Sequence, residues 1–540
     1  MSIKKPNKRF FRIFQTPEFV FILCLAALFF IYGFHWVLPM RPSSIHLWRQ
    51  ADCLSFTLNY YQENRPFFEP AIHFSGSNGT GKTVSEFPII YYSVAQLWKI
   101  FGQKESIFRL VNLLLVYLGL FYLFKLLKEL LGSGFWGLYI PVFLFTSPVL
   151  VSYSISFLSN APAFGCALTA CYFYWRHYKT GKYQLLILSM LLFLLGGLMK
   201  ITALTSFVAI LGIHFLQLIE VIIKKNRRHI RRMLTDLVPF LTVIILLFSW
   251  VMFTKHYNQL NLSGLFLQDV FPIWKLDPEK ISDTAYKFYH NLLPRFFPKL
   301  MLVAIFILFI INIVRYKITN QFLLLFNVLV FIGTVLYLIL WFKAFDVHDY
   351  YMLNLLIFPV ATLVTFFDLL KNNAHKLFHG KPLKFLALAL LLFSVYNAYV
   401  QNRMRYDKED LFVKNSFLLD KAAIDYWDWQ HWSNSIYKKP YHTITPYLRS
   451  IGIDRDDKVI SMPDTSPNIT LYLMDQKGYT EFGFVYEGKK RMEHFISIGA
   501  KYLIIHRAFL DKVRYLKPFL KKKMGTYQDI EIYDLRNLSD

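Results

Sequence analysis

Long apolar runs are the sequence feature that most restricts what this chain folds into. The first of them, Phe19 to Leu38, has about the 20 apolar residues that cross a bilayer as an α-helix. Breaks at polar and basic clusters give about eleven such stretches. They lie near residues 18–38, 107–124, 134–151, 160–175, 184–199, 203–222, 236–253, 299–314, 321–341, 351–370 and 385–400. We therefore expect an α-helical polytopic membrane protein over residues 1–400.

Composition and charge exclude several other classes of protein. With 55% hydrophobic and only 18% charged residues, the chain is not disordered, collagen-like or built on a disulfide framework. The formal charge of +25 is also compatible with nucleic-acid binding, but Lys and Arg concentrate in alternate loops between the apolar runs. The positive-inside rule explains that distribution, so we expect no nucleic-acid partner. The four cysteines have no spacing typical of a bridge or a metal site.

The same charge distribution predicts the orientation. The basic start, MSIKKPNKRFFRIF, precedes a run that is too long for a cleaved signal peptide, so we expect a retained signal anchor with a cytoplasmic N-terminus. An odd number of spans then puts the C-terminal segment on the opposite, extracytoplasmic side. Two long loops, 39–106 and 255–298, are expected on that side as well.

The first long loop contains three recognisable segments. The stretch WRQADCLSFTLNYYQENRPFF has helical spacing of apolar residues at Leu54, Leu58 and Tyr61, which predicts an amphipathic helix along the membrane surface. SGSNGTGK lacks the spacing and the preceding strand of a nucleotide-binding loop, which favours a glycine-rich turn. Pro88 predicts the start of a short helix that returns to the membrane. The second long loop is rich in aromatic residues and either caps a cavity or forms an interfacial aromatic belt.

Composition changes near residue 400, and 401–540 is predicted to be a soluble α/β domain. Its basic and acidic residues nearly balance, as in ordinary globular proteins. Alternating elements predict a small three-layer α/β arrangement with no catalytic motif of its own. The predicted strands are 458–461, 502–505 and 530–533, and the predicted helices are 468–474, 491–498 and 511–521. Acceptor recognition or structural support is the role expected for it.

Carboxylates at the ends of predicted spans are candidates for function, because an ionised side chain near hydrocarbon is costly unless it is paired or used. Asp52, Glu86, Asp346 and Asp349 meet this criterion. In FDVHDYY, Asp346, His348 and Asp349 precede a span, and the sequence leaves open a divalent cation or a polar cap on the helix start. Lys200, in GGLMKITAL, either extends toward the interface or pairs with a lipid phosphate.

Four stretches in this order carry a family resemblance: WRQADCLSF, EFPIIYY, GGLMKITAL and HDYYMLNLLIFP. Over roughly residues 15–400 the chain resembles the polytopic GT-C glycosyltransferases. Within them it is similar to the branch of protein O-mannosyltransferases and the lipid A aminoarabinose transferase (glycosyltransferase family 39-like). The resemblance implies an enzyme of the bacterial inner (plasma) membrane. It would move a sugar from a polyprenyl-phosphate donor to a glycan, lipid or protein acceptor at the outer face, with inversion at the anomeric carbon.

The resemblance also implies roles for particular residues. Asp52 would be the catalytic base, Glu86 would shape the site, and Lys200 would lie near the polyprenyl phosphate. The leaving phosphate needs cations, so Arg49 and Arg109 are expected to assist Lys200. His348, Asp349, Tyr350 and Asn160 are predicted to bind substrate. No cofactor is expected, and a divalent metal is conceivable without being predicted.

Two positions depart from the family pattern. FLSNAPAF has Asn160 where relatives often carry Asp, which weakens the case for a second carboxylate or a metal. Phe87 follows Glu86 where the aminoarabinose branch has Lys, which weakens the case for that branch's substrate.

The sequence leaves other function classes open. A transporter or lipid-linked glycan flippase would need charges deep inside its helices and often inverted repeats, whereas the candidates here cluster in loops. A polymerase or ligase with a lipid-diphosphate donor would be dominated by arginines in a large external loop. A non-catalytic assembly factor would use the outer domain to bind a partner. The sequence names neither the sugar nor the acceptor.

Overall fold

The computed structural model describes residues 16–266, 270–407, 410–483, 486–510 and 513–536. They form two compact units that do not follow sequence order. The first, called here the helical unit, comprises 16–38, Arg109–Phe248 and Val270–Leu418. The second, called here the mixed unit, comprises 39–108, 249–266 and the described part of 419–536. The basic N-terminal segment lies outside the described residues.

The helical unit contains the apolar helices that the sequence predicts. Among the described residues, six helices are long and apolar enough to cross a membrane, or up to eight if each of two bent pairs is one span. Each of the eleven predicted stretches coincides with a helix or a bent pair of helices. They are Pro17–Ile31, Glu105–Leu131, Gly134–Leu144 with Pro148–Ser154, Asn160–Thr180, Tyr183–Met199, Thr205–Ile223, Arg227–Leu260, Lys299–Val314, Gln321–Leu340, Ile357–Asn373 and Lys381–Tyr406. The α-helical membrane architecture is thus confirmed, and the number eleven stays a prediction.

Both bent pairs break beside a proline. The bend between Gly134–Leu144 and Pro148–Ser154 is 76°, and the one before Lys299–Val314, next to Pro298, is 86°. Proline lacks an N–H group and disfavours the helical conformation of the residue before it, so a helix ends there. The first apolar run also breaks, at Gly33, which has a left-handed φ of 71° before the short helix Phe34–Val37.

Two glycines allow a close approach of helices Glu105–Leu131 and Asn160–Thr180. A Cβ atom added at Gly165 would lie within 3.0 Å of the carbonyl oxygen of Leu115, and one added at Gly119 would lie equally close to that of Gly165. Small residues at such crossings let backbones pack closely, which is a main source of helix association in membranes.

The second predicted loop is partly helical. Helix Arg227–Leu260 continues past residue 254, because residues 254–260 include neither proline nor glycine. Residues 255–260 therefore do not belong to a loop, contrary to the sequence prediction. Farther along, Pro278–Lys287 and Phe288–Leu292 are also helical, and Trp274, Tyr286 and Tyr289 are largely exposed.

The mixed unit combines two loop helices with a five-stranded sheet. Leu47–Glu63, called here the first-loop helix, packs against Ile89–Phe101, which begins directly after Pro88 as predicted. Between them, SGSNGTGK forms a turn in which Gly76, Gly79 and Gly81 have positive φ values, as expected of a glycine-rich turn. The sheet has the order β2-β1-β3-β5-β4. Its strands are β1 Val459–Met462, β2 Gly478–Tyr479, β3 Tyr502–His506, β4 Lys523–Tyr527 and β5 Ile530–Asp534.

The C-terminal elements confirm the α/β prediction and correct its details. β1 pairs in parallel with β2 and β3, whereas β5 is antiparallel to β3 and β4, so the sheet is mixed. Helices Ile469–Leu473 and Gly488–Ser497 match predicted ones within a few residues. The predicted helix 511–521 is only a short 3₁₀ turn, Arg514–Phe519, because Pro518 removes a donor and opposes a regular α-helix. Residues 511 and 512 lie outside the described part.

Candidate active site

The mixed unit brings three of the predicted residues together. Arg49 and Asp52 are one helical turn apart on the first-loop helix, and Arg49 Nη1 lies 3.3 Å from Asp52 Oδ2. The other end of the guanidinium, Nη2, donates to Glu86 Oε1 at 2.8 Å. Arg49 therefore lies between two carboxylates, and the three side chains carry one net negative charge when all are ionised.

The second carboxylate oxygen of Glu86 also accepts hydrogen bonds. Ser85 Oγ donates to Glu86 Oε2, and the hydroxyl of Tyr91 donates to the same oxygen over 3.2 Å. Tyr91 is in the first turn of the helix that Pro88 initiates, and its hydroxyl also lies 3.3 Å from Cys53 Sγ. The sequence EFPIIYY thus builds one wall of the site.

Asn468, from the C-terminal segment, completes the surroundings of Asp52. Its Nδ2 donates to Asp52 Oδ1 at 2.8 Å, and both side chains are fully buried. No sequence pattern points to Asn468 as part of the site. The two positions are 416 residues apart, and an asparagine before a short helix is ordinarily assigned to capping.

Burial governs the protonation of Asp52. Removal from water penalises the charged form and raises the pKa of this carboxyl to about 6, although Arg49 and the hydrogen bond from Asn468 act in the opposite direction. A carboxylate with a pKa near neutral pH is suited to act as a general base, because it accepts a proton readily and is still ionised at pH 7. Oδ1 is taken by Asn468, while Oδ2 makes only the longer contact with Arg49 among the described residues.

A polar face of the first-loop helix joins it to the C-terminal segment. Asp52, Ser55, Asn59 and Glu63 recur every three or four residues, so they lie on one side of the helix. Arg455 donates to Glu63 Oε1 and to Asn59 Oδ1, each at 2.6 Å. Partial burial opposes ionisation of Glu63, yet the surrounding cations outweigh it and lower the pKa of this carboxyl to about 2. The helix is therefore amphipathic as predicted, but its polar face is covered by protein.

Ser55, His73 and Asp475 superficially resemble a nucleophilic triad. Ser55 Oγ lies 2.7 Å from His73 Nδ1, and His73 Nε2 lies 3.2 Å from Asp475 Oδ1. Ser55 and His73 are both fully buried, however, and Ser55 Oγ also accepts the backbone N–H of His73. A substrate carbonyl cannot approach a hydroxyl that is enclosed in this way. The three residues therefore have a structural role and join the first-loop helix, the loop after it and the C-terminal segment.

The helical unit contains the other predicted residues, and Asp349 is the most enclosed of them. Its carboxylate accepts hydrogen bonds from Arg405 Nη2 at 2.6 Å, from Arg295 Nη1 at 3.4 Å and from the hydroxyl of Tyr153. All four side chains are buried. Asp349 therefore holds together chain segments that are far apart in sequence.

Lys200 lies close to the residues that follow His348. Its ammonium is 5.2 Å from the ring centre of Tyr351, which stacks on Tyr350 at 4.9 Å. The ring of His348 lies 5.3 Å from that of Tyr350. The structure thus brings Lys200, His348 and Tyr350 into one cluster with Asp349.

Asn160 is next to the same cluster through its neighbour. Ser159 Oγ donates to the carbonyl of Met199, the residue before Lys200. Asn160 itself is buried at the start of its helix, and its Nδ2 has no hydrogen-bond partner among the described residues. A buried amide donor of this kind is compatible with the substrate-binding role predicted for it.

Arg109 is fully buried in the helical unit and supports a loop. Nη1 donates to the carbonyl of Ile155 at 2.7 Å, and the guanidinium lies 4.1 Å from the ring centre of Phe157. Asn112, one turn later, donates to the carbonyls of Ser156 and Leu158. These contacts fix the loop that leads to Asn160.

Among the described residues, no group of three or more His, Cys, Asp and Glu side chains is arranged to hold a metal ion. Asp346, one of the acidic candidates, instead accepts from Lys280 at 2.6 Å and from Lys287 at 2.7 Å. Burial opposes ionisation of Asp346, but the hydrogen bonds from the two lysines together outweigh it and lower the pKa of this carboxyl.

Comparisons with known proteins agree with this architecture. Residues 85–253 match the family described as dolichyl-phosphate-mannose-protein mannosyltransferase. The fold is similar to a crystal structure of ArnT from Cupriavidus metallidurans bound to undecaprenyl phosphate, with a TM-score of 0.52 at 10% identity over 96% of this chain and 98% of that one. The apo structure of the same protein gives 0.51 at 10% identity and the same coverage. A search of curated protein sequences gives no match. In its family match and in its fold, the chain therefore resembles the GT-C glycosyltransferases, as its motifs predict.

Proposed function

We propose that this protein is a membrane glycosyltransferase that transfers a sugar from a polyprenyl-phosphate donor to an acceptor hydroxyl or amine. The observation that carries the proposal is the buried Asp52, with a pKa near 6 and one oxygen less tightly engaged than the other. The match to a mannosyltransferase family that uses a lipid-phosphate donor, and the fold similarity to an ArnT bound to undecaprenyl phosphate, support the lipid donor.

The reaction would proceed by one displacement at the anomeric carbon. The acceptor oxygen or nitrogen attacks that carbon from the face opposite the phosphate, and the bond between the carbon and the phosphate oxygen breaks. The acceptor proton passes to Asp52 Oδ2, and the polyprenyl phosphate leaves with the electron pair of the broken bond. The configuration inverts, because a single displacement occurs. Proton transfer to a positioned carboxylate contributes about 10²- to 10⁴-fold to such a rate.

Asp52 lies out of contact with water, so an acceptor group reaches Oδ2 only when neighbouring side chains shift. Arg49, which is 20% exposed and contacts Oδ2, is the side chain whose movement would open that oxygen. Glu86 provides the second anchor for Arg49 and would return it to its place.

Lys200 is the cation we assign to the leaving phosphate. It lies at a helix end beside aromatic rings, where a side chain of this length reaches a lipid head group. Arg49 and Arg109 are weaker candidates for this role than the sequence predicts, because the first is shared by two carboxylates and the second is buried against a loop. Asn160, His348 and Tyr350 are the proposed substrate contacts near Lys200.

We place the reaction at the outer face of a bacterial inner membrane, with the N-terminus in the cytoplasm. The positive-inside distribution of Lys and Arg supports that orientation. Single cysteine substitutions at exposed sites test it. Asn78→Cys protein, altered in the glycine-rich turn, should react with a membrane-impermeant thiol reagent added to intact spheroplasts, and Lys225→Cys protein should react only after lysis. The reverse pattern would contradict the orientation.

The activity is tested with purified protein in lipid. A panel of polyprenyl-phosphate sugars is supplied with membrane extract as acceptor, and release of free polyprenyl phosphate is measured. Turnover of at least one donor, with the sugar recovered on an acceptor, supports the proposal. Absence of turnover with every donor, together with uptake or flipping of a lipid-linked glycan in vesicles, would instead favour the transporter class. Comparative mass spectrometry of glycans from a deletion strain would then identify sugar and acceptor together.

A further inference from the structure

We propose that Asn468 is a positioning residue for Asp52: the C-terminal segment holds Oδ1 of the carboxylate and thereby directs Oδ2 toward the acceptor. This inference rests on the proposed function, since it assumes that Asp52 is the base. It gives the C-terminal segment a direct part in the reaction, beyond acceptor recognition or structural support.

The orientation of the Asn468 amide is fixed by its other partners. Its Oδ1 accepts the backbone N–H of Phe74 at 3.0 Å and the hydroxyl of Ser55 at 3.4 Å. A backbone N–H only donates, so the amide oxygen must face Phe74. The NH₂ group therefore faces Asp52 Oδ1, 2.8 Å away, and a flipped amide would lose both contacts.

Asn468 does not cap the helix that follows it, although its position favours that role. It is the N-cap residue of helix Ile469–Leu473, where an asparagine side chain ordinarily accepts an N–H of the first turn, yet it makes no such bond. Ser466 Oγ accepts the N–H of Ile469 at 3.0 Å, and Asp464 Oδ2 accepts that of Thr470 at 2.8 Å. With the helix capped by other residues, the amide of Asn468 is available for Asp52.

The frame around Asn468 is rigid. Ser55 is fixed by both the ring and the backbone of His73, whose ring also contacts Asp475. Ser55 and Asp52 are on the same face of the first-loop helix, so Asn468 spans two successive turns of that helix. A carboxylate held in this frame keeps one rotamer, and precise placement of a reacting group is a large part of enzymatic rate enhancement.

The experiment is a pH–rate profile of kcat/KM for donor turnover, which reports the ionisation of the free enzyme. The amide stabilises ionised Asp52, so Asn468→Ala should move the acid limb upward by about one pH unit. The resulting loss is about twofold at pH 7 and about fivefold at pH 6 from protonation alone. Asn468→Asp keeps an acceptor for the Phe74 N–H but puts a second carboxylate beside Asp52. The acid limb of its pH–rate profile should therefore move upward at least as far as that of Asn468→Ala.

Gln62→Ala is the matched control. Gln62 donates a hydrogen bond to Asp475 and so also joins the first-loop helix to the C-terminal segment, but it does not contact Asp52. The acid limb of the Gln62→Ala pH–rate profile should therefore coincide with that of the wild type. A folded Asn468 variant with an unmoved acid limb, or with the wild-type rate above about pH 8, overturns the inference, because the lost contact should both raise the pKa of Asp52 and displace its carboxylate. If Asn468→Ala does not fold, Asn468→Asp decides by the same criterion. Failure of the proposed function gives a different result, because the wild type itself then shows no donor turnover.

Discussion

At the scale of single residues, the environment of Asp52 determines what this carboxylate does. A solvated aspartate would be fully ionised and weakly basic at neutral pH, whereas burial brings the pKa of Asp52 to about 6. The sequence predicts Asp52 and Glu86 because they are carboxylates at the ends of predicted spans within recognisable motifs, and it predicts Arg49 as a cation for the leaving phosphate. It does not predict Asn468, because the partner of a buried carboxylate is set by tertiary contacts that leave no periodic pattern.

The pKa of Asp52 gives the first prediction. The base works when ionised, so donor turnover should be lost as the pH falls through about 6 and should be constant from about pH 7 to 8. A pH–rate profile of the wild-type protein at saturating and at low donor concentration measures this limb. A profile that stays flat down to about pH 4.5 would show that no group of this pKa governs the reaction.

At the scale of elements, the first-loop helix has an apolar face and a polar face that make different contacts. Its apolar positions, Leu54, Leu58 and Tyr61, predict the helix correctly. Its polar positions look solvated in the sequence, whereas they pair with the C-terminal segment, because Arg455 carries the charge opposite to that of Glu63 and Asp475 accepts a hydrogen bond from Gln62. A sequence pattern shows that a face is polar and leaves its partner unspecified.

Arg455→Ala tests that pairing. Arg455 is only 16% exposed and bonds to Glu63, Asp475 and Asn59. Glu63 keeps Arg65 and Lys477 as cationic partners, so the loss of Arg455 should lower the free energy of unfolding by about 1–3 kcal/mol, less than for a fully uncompensated buried charge. Thermal unfolding in detergent measures it, with the exposed pair variant Lys489→Ala as control.

The Arg455→Ala effect also has a pH dependence. Glu63 has a depressed pKa in the fold, near 2, so the stabilisation is present above about pH 5 and fades as the pH falls toward 2. Arg455→Ala protein as stable as the control at pH 7 would contradict the account.

The glycine crossing gives a second prediction at this scale. Gly165→Ala puts a methyl group within 3.0 Å of a backbone oxygen, which forces helices Glu105–Leu131 and Asn160–Thr180 apart. We expect a loss of about 1–3 kcal/mol, as for overpacking of a well-packed core. Gly134→Ala is the control, since its new methyl group would lie 3.5 Å from Pro17. Melting temperatures in detergent compare the two, and equal values would contradict the close approach.

At the scale of the whole molecule, hydropathy and charge predict the helical membrane architecture, and alternation predicts the C-terminal α/β elements. The division into two units is less accessible to sequence, because the mixed unit assembles 39–108, 249–266 and 419–536 from separate regions of the chain. Edge strand β4 is absent from the predictions because its residues, KMGTY, are exposed or half-buried and show no apolar alternation. Strand β2 is also absent from the predictions, because it has only two residues.

The helical unit depends on a buried ion cluster drawn from four distant segments. Asp349→Ala removes the carboxylate shared by Arg295 and Arg405, and we expect a loss of about 3–5 kcal/mol in stability. Asp346→Ala, at a partly exposed ion pair, should cost about 1 kcal/mol or less. Thermal unfolding compares them. Unchanged melting of Asp349→Ala together with lost donor turnover would assign Asp349 to substrate binding, as the sequence predicts.

The central claim is that Asp52 is the base of a transfer from a lipid-linked phosphate sugar, and Asp52→Asn tests it most directly. Asparagine keeps the shape and the contact with Asn468 but accepts no proton. Asparagine loses the contact with Arg49, but burying a neutral group removes the larger cost of an ionised carboxylate above pH 6, so the melting temperature at pH 7 should not fall. Single-turnover release of polyprenyl phosphate should drop by about 10²- to 10⁴-fold. Release at the wild-type rate by folded Asp52→Asn protein would contradict the claim.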